Sequence, residues 1–113
     1  MMKRKLLFVC MANLNRSPTF AKFVGNYCQN LEVKSCGVYY GYPDKLNREL
    51  LEWADKAYVM DLEQEEFIAI HYHKYLDKVE MIGVSDQYHP DDVRLIELIK
   101  YWIKKKSRKL EVI

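Results

Sequence analysis

The apolar positions of the chain alternate between short continuous runs and longer stretches with a helical period. Leu6 to Val9 is unbroken, as in a strand covered on both faces. Phe20, Phe23, Val24, Tyr27, Cys28 and Leu31 then recur at i, i+3, i+4, i+7, i+8 and i+11. That spacing predicts a helix over 18–30 with one buried stripe. Residues 31–35, 57–60 and 79–84 predict further strands, the last interrupted by Glu80 and Gly83. Asp44 or Asn47 is placed to cap a short helix reaching Trp53, with Leu46, Leu50, Trp53 and Ala54 turned inward. Asp61 with Gln64 three residues later has the form of a capping box and predicts a third helix to about Tyr72. A last helix begins near Pro90, with Asp91 and Asp92 in its first turn. It buries Leu95, Leu98, Ile99 and Trp102 and ends in Lys104, Lys105 and Lys106.

Strand and helix in alternation imply a single α/β domain over residues 1–113: a four-stranded parallel sheet with helices on both faces. Ligands of such sheets bind beyond the carboxyl ends of the strands, where the strand order switches. The segments after strands one, two and four are expected to meet there.

Composition narrows the class. Of 113 residues, 50% are hydrophobic and 30% charged, with a net charge of +2. Bulk charge therefore gives no reason to expect nucleic acid. The basic start and the apolar run after it are too short for a signal peptide, and no apolar stretch reaches membrane-spanning length. Cys10, Cys28 and Cys36 make an odd count without framework spacing, which favours a reducing cytoplasm. Cys28 falls on the helical stripe and reads as core. His71, His73 and His89 have no metal-binding spacing, so no metal and no cofactor is expected.

The chemistry is concentrated where strand one runs into the first helix. Ser17 and Pro18 read as an N-cap followed by proline in the first helical position. Backbone N–H groups of Met11, Ala12, Asn13, Leu14 and Asn15 and the positive end of the helix dipole would converge on one point suited to a phosphate. Cys10 lies at the base of that cradle, where such dipoles and a cation favour a thiolate. Arg16, six positions on, offers a planar fork for two phosphoryl oxygens. Asn13 tolerates the left-handed turn the loop requires, and the Ser17 hydroxyl can donate to the thiolate. A phosphate ester also needs a proton for its leaving oxygen. Asp86, in the segment after strand four, is the choice; Asp91 and Asp92 are rivals with a sufficient role at the helix dipole.

Val9, Cys10, Asn13, Arg16, Ser17 and Pro18 fill every fixed place of the V-C-x-x-N-x-x-R-S-P signature of low-molecular-weight protein tyrosine phosphatases, which the chain resembles. The resemblance implies Cys10 as nucleophile, Arg16 and the loop N–H groups as phosphate ligands, and Asp86 as general acid. The family's late V-P-D-P-Y is matched by Val84-Ser85-Asp86-Gln87-Tyr88 at valine, aspartate and tyrosine, without the prolines. Val33-Lys34-Ser35-Cys36-Gly37 resembles V-x-S-A-G, which implies that Ser35 supports the loop asparagine. Tyr58-Val59-Met60-Asp61 resembles the family's third strand with its terminal aspartate. Tyr88, and one or more of Tyr39, Tyr40 and Tyr42, are candidates to wall a cleft against a phosphotyrosine ring. Asn15 stands where many members have a second cysteine. Cys36 either traps an oxidised Cys10 as a disulfide or fills space beneath the loop.

The expected activity is phosphotyrosine hydrolysis through a phosphocysteine, on a phosphorylated protein or small phosphate ester, by a monomer or weak dimer. A phosphoryl carrier of the sugar phosphotransferase IIB type also has a cysteine after strand one but needs neither Arg16 nor an acid. An arsenate reductase needs a late resolving cysteine, and none follows Cys36. A phosphotyrosine-binding module without catalysis does not require Cys10, Arg16 and Asp86 together.

Overall fold

The computed structural model describes residues 3–11, 16–27, 30–39, 44–85, 88–89 and 92–110. The elements follow in the order β1 (Arg4–Cys10), α1 (Arg16–Tyr27), β2 (Leu31–Gly37), α2 (Arg48–Trp53), β3 (Lys56–Val59), α3 (Leu62–His71), a 3-10 helix (His73–Lys78), β4 (Val79–Met81) and α4 (Val93–Leu110). The four strands form one sheet in the order β2-β1-β3-β4, every pair parallel. β1 is thus central, and the chain leaves it first toward β2 and later toward β3. The switch in strand order falls at the carboxyl end of β1, the position expected for a ligand.

Alternation along each strand sends successive side chains to opposite faces. Leu6, Phe8 and Cys10 of β1 and Tyr58 of β3 join Phe20 and Val24 of α1 and Leu95, Ile99 and Trp102 of α4 in one core. Leu7, Val9, Ala57, Val59 and Cys36 join Leu51 of α2, Ile68 of α3 and Tyr75 in the other. Trp102 stands edge-on to Phe8 and Phe20 at 5.7 Å and to Tyr58 at 4.9 Å between ring centroids. Gly25 lets α1 lie close on β2: a Cβ there would come within 3.1 Å of Val33 Cγ2.

Several boundaries differ from expectation for identifiable reasons. α1 begins at Arg16, so Ser17 and Pro18 lie inside its first turn, and Ser17 is not the N-cap. The first N–H groups of a helix have no acceptor within it, so proline costs nothing there. Asn47 rather than Asp44 caps α2, its Oδ1 accepting from the Leu50 N–H at 2.8 Å. Asp44 takes φ 58°, a left-handed turn that returns the chain to β2, where its carbonyl accepts from the Gly37 N–H. β4 stops at Met81, and Gly83 at φ +87° turns the chain after it. Asp92 precedes α4 instead of joining its first turn, and Arg94 grips it, holding its carboxyl below the usual range.

The 3-10 helix has no counterpart in the hydrophobic pattern. Lys78 at its end donates to the carbonyls of Leu51 and Ala54, satisfying acceptors that the end of α2 leaves without a partner in the helix. α4 continues past the lysine run, because Lys106 turns inward to pair with Glu80 of β4. Cys28, read as core in the sequence, lies outside the described residues. Among the described residues no helix is long and apolar enough to cross a membrane.

Candidate active site

Cys10 is the last residue of β1 and is buried on the face covered by α1 and α4. The next carbonyl, that of Met11, accepts from the Val38 N–H at 2.7 Å and the Tyr39 N–H at 2.9 Å. This joins the segments that follow β1 and β2. The Val9 carbonyl accepts from the Met60 N–H at 3.0 Å, which draws the end of β3 to the same place.

Arg16 opens α1 and is 4% exposed. A guanidinium so far from water requires a counter-charge and acceptors. It has both: Nη1 donates to Asp61 Oδ2 at 2.8 Å and to the Val84 carbonyl at 2.7 Å. Asp61 is itself held at both ends. Its Oδ1 accepts from the Glu63 N–H, and its own N–H donates to Gln64 Oε1, completing the capping box of α3. One carboxylate therefore starts a helix and fixes the arginine. Arg16 also ties the start of α1 to Val84, two residues before Asp86.

The sequence reading anticipated Asp61 as a cap and as a strand-ending residue, but not its bond to Arg16. The available signal was the carboxylate itself, since serine or asparagine caps a helix equally well. Ser17 is fully buried, and its hydroxyl has no hydrogen-bond partner among the described residues. Ser35 is half-buried opposite Phe8 in the ladder, hence on the same face as Cys10. Tyr39 is exposed beside Met11. Tyr88 packs half-buried against the α1–α4 core, with the Arg94 guanidinium 5.3 Å from its ring centroid. Ala12, Asn13, Leu14, Asn15, Tyr40, Tyr42, Asp86 and Asp91 lie outside the described residues.

Of the two roles left open for Cys36, the geometry favours filling space over a disulfide with Cys10. In the ladder Cys36 stands beside Val9 and Gly37 beside Cys10, so the two thiols belong to opposite cores. Side chains that diverge in this way cannot be bridged without moving backbone. Burial pushes the Cys36 thiol well up; the nearby Cys10 and Asp44 add to this, and Lys45 partly offsets it.

Two clefts open at this end of the sheet, each of about 420 Å³. One is lined by Asp61, Leu62, Glu63, Gly83, Val84 and Ser85. The other runs from Met11, Val38 and Tyr39 along the outer side of α3. Among the described residues no group of three or more histidine, cysteine and acidic side chains is arranged to hold a metal.

No family model and no curated protein matches the sequence significantly. Solved structures do match. The chain is similar to the tyrosine phosphatase Wzb from Escherichia coli K30 in complex with phosphate, with a TM-score of 0.76 at 17% identity over 96% of this chain and 99% of that one. It is similar to the YwlE arginine phosphatase from Geobacillus stearothermophilus, with a TM-score of 0.74 at 22% identity over 96% of each chain. A low-molecular-weight protein tyrosine phosphatase from T. tengcongensis aligns with a TM-score of 0.69 at 25% identity over 91% of this chain and 99% of that one. The chain therefore has the fold of the low-molecular-weight protein tyrosine phosphatases.

Proposed function

We propose that this protein is a cysteine-dependent phosphatase of the low-molecular-weight type, acting on phosphotyrosine in proteins or on small aryl phosphates. The observation that carries the reading is the buried Arg16, six residues after Cys10 and anchored to Asp61 and Val84 at the carboxyl end of the sheet. A carrier has no use for an arginine held this firmly six residues after its cysteine. An arsenate reductase would need a resolving thiol, and Cys36 faces away.

In this mechanism the Cys10 thiolate attacks phosphorus in line with the departing phenolic oxygen. Loop N–H groups and the Arg16 fork hold the equatorial oxygens, with Asp61 orienting the fork. The S–P bond forms as the P–O bond breaks, and Asp86 gives its proton to the phenolate. Water then attacks the phosphocysteine, Asp86 takes a proton from it, and inorganic phosphate leaves with the thiolate regenerated. The buried Ser17 hydroxyl, with no partner among the described residues, would turn to donate to the sulfur as it becomes a leaving group. Ser35 supports the loop through Asn13, and Tyr39, Tyr40 and Tyr88 border the ring of the substrate.

Two solved structures of this fold carry the name arginine phosphatase, so phosphoarginine is the competing substrate. The test is release of inorganic phosphate from a phosphotyrosine peptide and from a phosphoarginine peptide by purified protein with chelator present. Turnover of the phosphotyrosine peptide at higher kcat/KM is expected. Absence of release from it would overturn the reading, and preference for phosphoarginine would replace the substrate while keeping the nucleophile.

A further inference from the structure

We propose that the cleft along α3 is a docking groove for the segment of substrate polypeptide next to the phosphorylated residue, and that it selects segments carrying an apolar side chain and a lysine or arginine. The proposal rests on the phosphatase reading and adds to it the class of protein substrate.

The groove is continuous with the site. Met11, the residue after Cys10, lines it together with Val38, Tyr39, Glu63, Phe67 and Ile70, and Glu66 and His71 complete it. α3 begins at the aspartate that holds Arg16 and runs away from it. From Glu63 to Ile70 the helix rises about 10 Å, the reach of roughly three extended residues. A chain leaving the phosphorylated residue along α3 would therefore meet these side chains within about three to four positions.

The lining has two parts. Glu63, Glu66, Phe67 and Ile70 share one side of the helix at i, i+3, i+4 and i+7. Phe67 is half-buried and Ile70 is 75% exposed, so an apolar stripe faces outward in addition to the one that packs Ile68 into the core. Among the described residues, neither the Glu63 nor the Glu66 carboxylate makes an ion pair. Glu63 suits the dipole at the start of α3, but Glu66 lies a turn further on, where that effect has faded. Lys45 borders the groove, its ammonium 5.2 Å from the Phe67 ring centroid. A basic, partly apolar segment complements this surface. An acidic segment would place its charges against Glu63 and Glu66.

The experiment uses the full chain and two phosphotyrosine peptides, one with leucine and lysine within three positions of the phosphorylated residue, the other with serine and glutamate there. Each kcat/KM is divided by that for p-nitrophenyl phosphate measured on the same preparation, so a general loss of active protein cancels. The wild type should prefer the basic, apolar peptide by roughly 2- to 30-fold, the span of two exposed ion pairs. Glu66→Lys should erase or invert the preference. Ile70→Ser should lower the ratio for the leucine-bearing peptide without inverting the preference. Equal use of both peptides, preference for the acidic one, or a ratio that Glu66→Lys does not move would overturn the groove alone. Failure of the wild type to hydrolyse p-nitrophenyl phosphate would overturn the phosphatase reading and the groove with it.

Discussion

The two faces of the sheet are filled differently. Phe8, Phe20, Tyr58 and Trp102 form a nearly continuous cluster of rings between β1, β3, α1 and α4. The opposite face is centred on smaller aliphatic side chains, Leu7, Val9, Leu51, Val59 and Ile68, under short helices, with its rings, Tyr75 among them, on or next to the helices rather than on the strands. Each face also holds a buried cysteine. Cys10 ends its strand on the aromatic face, six residues before Arg16, the first residue of α1. Cys36 lies one ladder step back on the other face, packed with Val38 and Leu46. Position relative to the strand end and the helix N-terminus, rather than residue type or burial, is what separates a candidate nucleophile from a space-filling thiol.

The sharpest way to break this comparison is to exchange the two sulfurs for oxygen. Cys10→Ser should lower phosphate release by roughly 10⁴-fold or more, as for loss of a nucleophile, with phosphate binding retained. Cys36→Ser should leave turnover within a few-fold and instead cost about 1–3 kcal/mol of stability, because a hydroxyl in that aliphatic setting needs an acceptor. Peptide mapping after limited iodoacetamide should find Cys10 labelled and Cys36 untouched, since burial keeps the Cys36 thiol protonated. A Cys36→Ser enzyme without activity would abolish the distinction.

Two smaller perturbations sharpen it. Trp102→Ala removes the ring that touches three others and should cost about 3–5 kcal/mol in chemical denaturation. A loss under about 1 kcal/mol would mean that the aromatic face is not the main source of rigidity beneath Cys10. Asp61→Asn tests the link between cap and arginine. Asparagine caps a helix as well as aspartate does, so α3 should persist while Arg16 loses its counter-charge. A charged hydrogen bond is worth about 1.5–3 kcal/mol, so kcat/KM should fall roughly 10- to 100-fold with little change in circular dichroism. An unchanged kcat/KM would show that the Val84 carbonyl alone positions the guanidinium.

How much of this was legible in the sequence follows from what each signal depends on. The continuous run Leu6 to Val9, the stripe from Phe20 to Val24 and the Asp61–Gln64 box depend on local spacing, and the corresponding elements are present. The proposed cradle is a local motif, its residues close in sequence, but residues 12–15 lie outside the described residues. The Asp61–Arg16 bond joins residues 45 apart, and nothing in the spacing around Asp61 marks it as more than a cap. The 3-10 helix was missed because a six-residue turn offers no helical period. The opposed orientation of Cys10 and Cys36 follows from the register of β1 on β2, and the exact pairing was not contained in either strand alone.

The smallest expected effect compares two tyrosines, one on each face. Tyr75 is buried in the aliphatic face, but its hydroxyl reaches out to donate to exposed Glu52. That bond holds the Glu52 carboxyl below its usual range and pushes the Tyr75 phenol up. A lowered carboxyl contributes stability that is present above its unfolded value near 4.5 and lost as pH falls through the folded value. A raised phenol contributes stability that is present below its unfolded value near 10 and lost as pH rises through the folded value. Tyr75→Phe should therefore lower Tm between about pH 5 and pH 10 and have progressively less effect outside that window on either side. Tyr58, on the aromatic face, is pushed up to about 12 chiefly by burial, with Glu80 second. Its ionisation opposes folding only above pH 10, so the Tm difference caused by Tyr58→Phe should not fade in acid. The check is a series of thermal melts of both variants and the wild type from pH 3 to pH 10. Loss of the Tyr75→Phe effect in acid, with that of Tyr58→Phe constant, is the expected pattern. Parallel curves for the two variants would mean that the Tyr75 hydroxyl gains nothing from Glu52 and that its pair on the aliphatic face is decorative.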